Sequence, residues 1–269
     1  MDRSSVPPEW QLPAGVPRGT WQYAQQDDIA RQYDAYFVDN RLFEFDQQVL
    51  ARHFRQPGLL IDLGCGTGRI LVPFARKGFP TLAVDLSLPM LRVVGEKARC
   101  QGLVIHRLCA NLVELGCLAD AVADYAVCLF STLGMIRGRA NRRQTLEHIC
   151  RVLKPGGWFV VHVHNVWYSL LYAAGRRWLV GHLLAALVRR DVERGDRFFE
   201  YLGIPNVFVH SFSERELRRD LRQAGFRIED LIRLHATRQR PLRAGWFLGS
   251  IRANGWIAVC RKPGLPDCR

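Results

Sequence analysis

The stretch Leu59–Arg69, LLIDLGCGTGR, sets three glycines at alternate positions directly behind a short apolar run and an aspartate. Glycines this dense cost chain entropy, so they mark a turn that needs left-handed backbone or a bare approach. The apolar run is too short for a helix and reads as a buried strand. RILVPFARKG, immediately after the loop, reads as a helix with Lys77 in its last turn and Gly78 as its stop.

The same alternation runs outward from this loop. PTLAVDLS predicts a second buried strand, and SLPMLRVVGEKARCQG a helix with Ser87 as N-cap and Pro89 early in it. LVIHRLCA and DYAVCLFST read as further strands, RRQTLEHICRVL as a helix ending at KPGG, and WFVVHVH as a fifth strand. Strands alternating with helices at this spacing mean βαβ units and a parallel sheet. Later, SERELRRDLRQAG has capping-box spacing at Ser213 and Glu216, and FRIEDLIRL and GWIAVCRK predict two antiparallel strands. Upstream, Tyr23 to Phe54 shows helical periodicity through Ile29, Tyr33, Tyr36, Phe37, Phe45, Val49 and Leu50. Tyr33 and Tyr36 are expected there as packing residues.

The expected fold class is α/β: a Rossmann-like, seven-stranded, mostly parallel sheet with helices on both faces and a C-terminal antiparallel β-hairpin. Residues 1–20, with four prolines, are expected as a flexible arm. Residues 21–269 are expected as one domain, with a core at 55–165 and 206–264 and an apolar and basic insertion at 166–205.

Composition narrows the function classes. The hydrophobic share of 48% and charged share of 23% are those of a globular protein. No run of about 18 uninterrupted apolar residues predicts a transmembrane helix, and the first residues do not pattern as a signal peptide. The eight cysteines form no CxxC pair, which argues against a zinc site or disulfide framework and fits a reducing cytoplasm. No metal is expected. Net charge is +13, carried by 34 arginines and only four lysines. Nineteen of the 38 basic but ten of the 25 acidic side chains fall in residues 166–269. An electrostatic surface and a plain compositional preference for arginine both account for this.

Gly64, Gly66 and Gly68 read G-x-G-x-G, not the G-x-G-x-x-G of a dinucleotide cradle, and no Lys-Ser/Thr follows as in a P-loop. A nicotinamide dehydrogenase is thereby disfavoured. Asp85 ends the second strand, 17 residues after Gly68.

With DLGCGTG at Asp62–Gly68, Asp85, and the helix, turn and strand of ICRVLKPGGWFVV in this order, the chain resembles the class I S-adenosylmethionine-dependent methyltransferases. The resemblance covers about residues 57–165, and more loosely 206–264. It implies S-adenosyl-L-methionine as cofactor, held by Asp62, Gly64, Cys65, Gly66, Gly68, Asp85 and Leu86, with the Asp85 carboxylate on the ribose hydroxyls and the cleft covered by the N-terminal helical segment that carries Tyr33 and Tyr36 and by the 166–205 insertion. Met90 is implied near the adenine, with Asn111 and Leu112 flanking its amino group and Phe130 under the methyl donor. Relatives commonly carry Asp where this chain has Asn111, whose carbonyl can still accept a hydrogen bond.

Methyl transfer from a sulfonium needs alignment more than dedicated catalytic groups. The Asn/Asp-Pro-Pro-Tyr segment of methyltransferases acting on adenine or glutamine amino groups is absent after strand four. His164 is the expected base or substrate anchor, with His162 two residues before it on the same strand face. Ser131, Asn165 and His210 are expected substrate contacts.

The insertion VWYSLLYAAGRRWLVGHLLAALVRRD has three readings: a lid over an apolar substrate, an in-plane membrane helix through 166–188, or plain packing. The expected acceptor is a small, apolar or lipid-like molecule. One alternative is RNA, since residues 195–232 resemble the back half of the tRNA wobble carboxymethyluridine methyltransferases. Another is a non-catalytic scaffold that retains the cofactor pocket.

Overall fold

The computed structural model describes residues 7–36, 42–189 and 192–264, and for residues 42 and 43 the backbone alone. In chain order the elements begin with α1 (Arg18–Ala24), α2 (Asp27–Tyr36), α3 (Leu42–His53), β1 (Leu60–Leu63), α4 (Leu71–Arg76), β2 (Thr81–Asp85), α5 (Leu88–Cys100) and β3 (His106–Cys109). There follow β4 (Ala123–Cys128), α6 (Arg139–Val152), β5 (Leu153–His164), α7 (Ala173–Val188), β6 (Asp196–Tyr201), β7 (Ile204–His210), α8 (Glu214–Gln223), β8 (Arg227–Arg233), α9 (Gly249–Arg252) and β9 (Gly255–Arg261).

Seven strands form one sheet in the order β3-β2-β1-β4-β5-β9-β8. The first five are parallel, and β9 runs antiparallel to both β5 and β8. The strand order reverses between β1 and β4, which opens a crevice at their carboxyl ends. Asp85 ends β2, the glycine loop follows β1, and Phe130 and Ser131 follow β4, so all of them meet at that crevice.

Both faces of the sheet are buried, which is why its strands read as nearly unbroken apolar runs. On one face Leu146, Ile149, Leu217, Leu221 and Phe226 pack against Phe159, Val161 and Val163. On the other, Phe45, Val49, Leu50, Leu71, Phe74, Leu91 and Val94 pack against Leu60, Ala83, Val127 and Val160. The caps fall where the sequence puts them: Ser87 Oγ accepts from Met90 N at 3.2 Å, and Ser213 Oγ from Glu216 N at 3.2 Å.

Three expectations need correction. The N-terminal arm is not loose over residues 7–20. Its prolines pin a turn (Val16 N to Pro13 O, 3.0 Å), and Pro17 starts α1. The segment is tied down by Arg137 N donating to Gly15 O at 2.8 Å and by Asn111 Nδ2 donating to Ala14 O at 3.0 Å. Residues 1–6 lie outside the described residues. Second, the helical pattern over Tyr23–Phe54 is divided into α1, α2 and α3, and Phe37 lies outside the described residues. Third, the insertion does not end at 205. β6 and β7 pair as a separate antiparallel hairpin over 196–210, and the chain rejoins the core where Phe212 bridges Asn165.

Candidate functional site

Gly64, Gly66 and Gly68 all take left-handed φ values, +78°, +51° and +77°. They serve different ends. A Cβ on Gly64 would collide with the Thr132 side chain, whereas Gly66 faces Tyr33 with room to spare. Gly68 meets Val94 of α5 and does not line the cavity beside the loop, so its expected cofactor contact is corrected to packing.

The loop hangs on β2. Gly64 N and Cys65 N both donate to Val84 O, and Gly66 N donates to Asp85 Oδ2 at 2.8 Å. Asp85 Oδ1 accepts from Ser87 N, also at 2.8 Å. Burial raises the Asp85 carboxyl above its ordinary value, against the pull of these backbone donors. Asp62 is deeper still. Burial, with the Asp85 charge adding, pushes its carboxyl up to about 8.

Two connected hollows meet at this loop. One is lined by Gly64, Gly66, Asp85, Leu86, Met90, Asn111, Leu112 and Phe130. The other, sharing Gly64, Gly66, Tyr33 and Phe130, is lined by Asp62 and Cys65. Two buried acids with raised pKa, a bare turn and apolar walls fit a ligand that brings one positive charge and a pair of hydroxyls. S-adenosylmethionine is such a ligand. Asp62 would face its ammonium, Asp85 its ribose, and Met90 and Leu112 its adenine. Asn111 Oδ1 already accepts from Val113 N at 3.2 Å and has one lone pair left for the ring amino group.

The N-terminal helical segment covers this cavity, but sequence reasoning did not extend that cover to the stretch before residue 21. Gly15, Val16, Thr20, Tyr23 and Ala24 line it from above, and Tyr33, expected as packing, lines both hollows. The signal was the small-residue run around Pro17, which starts a helix instead of loosening the chain. Also missed was Asp34 of α2, which latches that helix to the loop. Its carboxylate accepts from Thr67 Oγ1 (2.6 Å) and Arg69 Nε (3.0 Å) and pairs with Lys97. Burial alone would raise its pKa, but Lys97, Thr67 and Arg69 hold it below the ordinary value.

Phe130 and Ser131 sit consecutively at left-handed φ, +55° and +63°. Two such non-glycine residues in a row are strained, and strain of this kind gathers at functional sites. Ser131 itself is buried and lines neither hollow, which corrects its expected substrate contact.

Asn165 is corrected as well. Its Nδ2 donates to Ser250 O (2.8 Å) and Ala253 O (2.7 Å), and its Oδ1 accepts from Trp167 N (3.0 Å), so its hydrogen bonding is spent on the fold. The third correction is His210. Its Nδ1 lies 2.7 Å from Asp196 Oδ1 and its Nε2 3.2 Å from Glu216 Oε1, leaving neither nitrogen for a substrate. Glu193, Asp196 and His210 offer atoms within 4.8 Å of one another, as a metal would require. However, Arg142 already occupies Glu193 at 2.6 Å, so the cluster supplies its own cations.

His164 ends β5 and is half-buried. Burial, then His162 and Arg238, push its imidazole down to about 3, so it stays neutral and is a poor base. His162, two residues earlier, lines neither hollow. It is fully buried, its Nδ1 lies 3.4 Å from Asp46 Oδ2, and its Nε2 has no partner. Its ring centroid stands 6.1 Å from that of Phe130.

The Methyltransf_23 family, a methyltransferase domain, matches residues 30–231. The chain is 32% identical over 173 residues to a ubiquinone biosynthesis O-methyltransferase of Caulobacter sp. (strain K31), a match covering 60% of this chain and 67% of the other. It is 31% identical over 137 residues to a Geobacillus sp. (strain WCH70) protein carrying a methyltransferase name, with 50% of this chain and 52% of that protein covered. The chain thus spans about half the length of that second relative. Among solved structures, an S-adenosylmethionine-dependent methyltransferase of Methanosarcina mazei superposes with a TM-score of 0.66 at 20% identity, over 81% of this chain and 98% of that one. The glycine loop, the two buried acids and the family match over most of the chain agree: this chain belongs to the Methyltransf_23 family, within the class I S-adenosylmethionine-dependent methyltransferases.

Proposed function

We propose that the enzyme methylates a hydroxyl oxygen on a small, apolar or lipid-like molecule, with His162 as the base and Asp46 orienting it. One observation carries this reading: a buried imidazole nitrogen, His162 Nε2, left without a partner beside Phe130. A buried nitrogen without a partner costs about 1–3 kcal/mol, so something is expected to complete it. A hydroxyl proton would do so. With the Nδ1 proton directed at Asp46, Nε2 keeps its lone pair and can take that proton as the oxygen is alkylated.

The cofactor supplies a methyl group on a positively charged sulfur. Everything else falls to the chain. Asp62 and Asp85 hold the donor's charge and ribose, and Phe130 spaces it from His162. His164, neutral and adjacent at 6.4 Å between ring centroids, serves as a hydrogen-bonding anchor for the acceptor. Burial lowers the pKa of Arg238, and Asp46, Tyr201 and Tyr168 pull it the other way.

The cap favours a small, enclosed substrate. Tyr201 of the β6–β7 hairpin packs on Tyr23 of α1 at 5.6 Å between ring centroids, so the insertion meets the helix that roofs the cofactor cavity. The Caulobacter relative, a ubiquinone biosynthesis O-methyltransferase, supports the same acceptor atom and an apolar substrate.

The test is transfer from tritiated S-adenosylmethionine into a cell extract, followed by fractionation with a nuclease control. Label in the organic-extractable small-molecule fraction, as a methyl ether or ester, is expected. Nuclease-sensitive label would instead establish RNA as the acceptor and overturn this reading.

A further inference from the structure

We propose that the enzyme docks on an anionic lipid bilayer through one surface built from α7 and the Trp246–Leu248 loop.

Helix α7 buries one side only. Gly175 and Leu179 face the protein, Gly175 so closely that a Cβ would strike Ser169 O. On the other side Val180, Leu184, Leu187 and Val188 are 60%, 60%, 72% and 85% exposed. At 100° per residue these four fall within one arc of the helix, and Arg176 and Arg177 fall on the same arc one to two turns earlier. An exposed apolar stripe with arginines alongside is the pattern of a helix lying in a membrane interface.

The second element is independent of the first in sequence. Trp246, Phe247 and Leu248 are 87%, 55% and 56% exposed. This is not a frayed tip. Arg252 donates to Phe247 O at 3.0 Å, and its guanidinium lies 6.0 Å from the Phe247 ring centroid. Ala244 and Leu248 hold left-handed φ values of +48° and +47°. The chain therefore bears backbone strain to keep a tryptophan and a phenylalanine in water.

The two elements share a support. Both α7 and α9, which follows the loop, pack on the turn at Val166–Leu171. Asn165, at the head of that turn, reaches Ser250 O and Ala253 O at the two ends of α9. Leu171 and Tyr172, 49% and 40% exposed, lie between the turn and α7.

Charge selects the occupant. No acidic residue occurs between Glu147 and Asp191, or between Asp230 and Asp267, so both elements lie in stretches that carry only basic charge. Arg176, Arg177 and Arg189 accompany α7, and Arg240, Arg243 and Arg252 accompany the loop. A protein partner of ordinary composition needs no such exclusion of acids. An anionic lipid surface does, because it rewards each nearby cation and repels each carboxylate. Aromatic side chains at the headgroup level complete the match.

The test is flotation of the intact protein with vesicles of phosphatidylglycerol and phosphatidylcholine, and with phosphatidylcholine alone. Partition into the anionic vesicles, weakening as salt rises, is expected. The Leu184→Glu/Leu187→Glu pair and, separately, Trp246→Glu should each lower that partition at least tenfold while cofactor binding is unchanged. A measurement on the unaltered protein stands beside these: brominated phospholipid should quench tryptophan fluorescence, and Trp246→Phe should remove much of that quenching. Failure of the cofactor-binding protein to float with anionic vesicles overturns the proposal. So does sedimentation showing a dimer that the glutamate pair disperses, since a second copy would then be what covers the stripe. None of these readouts depends on the acceptor, so they succeed or fail apart from the function proposed above.

Discussion

Asp46 and His162, 116 positions apart in the chain, meet in a sealed contact between α3 and β5, with His162 Nδ1 3.4 Å from Asp46 Oδ2. Each also keeps one buried polar atom without a partner, Asp46 Oδ1 and His162 Nε2. His162→Gln is therefore expected to slow single-turnover methyl transfer by about a hundred- to ten-thousand-fold, the range for a lost general base. Cofactor affinity, measured by calorimetry, should change less than about twofold. Asp46→Asn should act in the same direction but less, and His164→Gln less again. Equal losses in affinity and rate would place His162 in the fold and not in the chemistry.

Asp62 makes cofactor binding depend on pH. In the ligand-free protein its carboxyl stays protonated up to about pH 8. A cationic ligand needs the carboxylate, so binding below pH 8 must release a proton. Affinity should rise with pH and level off above about 8, and the binding enthalpy should vary with the ionisation heat of the buffer. Stability of the ligand-free protein runs the other way. A carboxyl with a raised folded-state pKa contributes stability at low pH that is lost as pH climbs through the folded value. Asp62→Asn should flatten both dependences.

Asp85 carries the second half of the donor site. Its carboxylate already orients Gly66 N and Ser87 N, so removing it costs the ribose contact and loosens the loop together. Asp85→Ala should weaken cofactor binding by about 1.5–3 kcal/mol, the scale of hydrogen bonds to a charged group. Calorimetry showing unchanged affinity would remove the ribose assignment.

Gly19 fixes how the roof closes. A Cβ there would run into the backbone carbonyls of Asn206 and Pro205. No flexible side chain can yield at that contact, so α1 and β7 would have to separate. Gly19→Ala should cost about 1–3 kcal/mol in denaturant unfolding. It should also weaken cofactor binding, because Thr20, Tyr23 and Ala24 roof the donor cavity from the same helix.

The core was legible because its central strands, β1, β4, β5 and β9, are buried on both sides and α5 and α8 start at a serine cap. Ser87 and Ser213 announce their helices by residue type alone. The donor loop was legible for a similar reason: glycine is needed at Gly64 and Gly66 wherever they stand in space. What stayed hidden depends on long-range contacts. Nothing local in Asp46 says that His162 lies beside it, and nothing in Asn165 or His210 distinguishes a substrate contact from a group already satisfied by Ser250 or Asp196. The N-terminal prolines misled because a proline that pins a turn and one in a loose arm look alike until the partner, here Arg137, is known.

His210 sits at the junction of the insertion with the core, and its surroundings set a second pH dependence. Burial would lower its pKa, but the hydrogen bonds it donates to Asp196 and Glu216 outweigh burial and the Arg142 charge and raise it. Beyond these, Arg139 lies 4.0 Å from both Glu193 and Glu216. A histidine with a raised folded-state pKa gives stability that is fully present below its ordinary value of 6.5 and lost as pH rises through the folded value. Thermal stability of the cofactor-saturated protein, in which Asp62 is already ionised, should therefore fall as pH climbs above about 6.5. His210→Gln should remove that slope and lower stability near pH 6 by about 1–3 kcal/mol, since it takes one buried cation from between Asp196 and Glu216 while Arg142 stays beside Glu216. A slope that survives the substitution would assign the titration to another group.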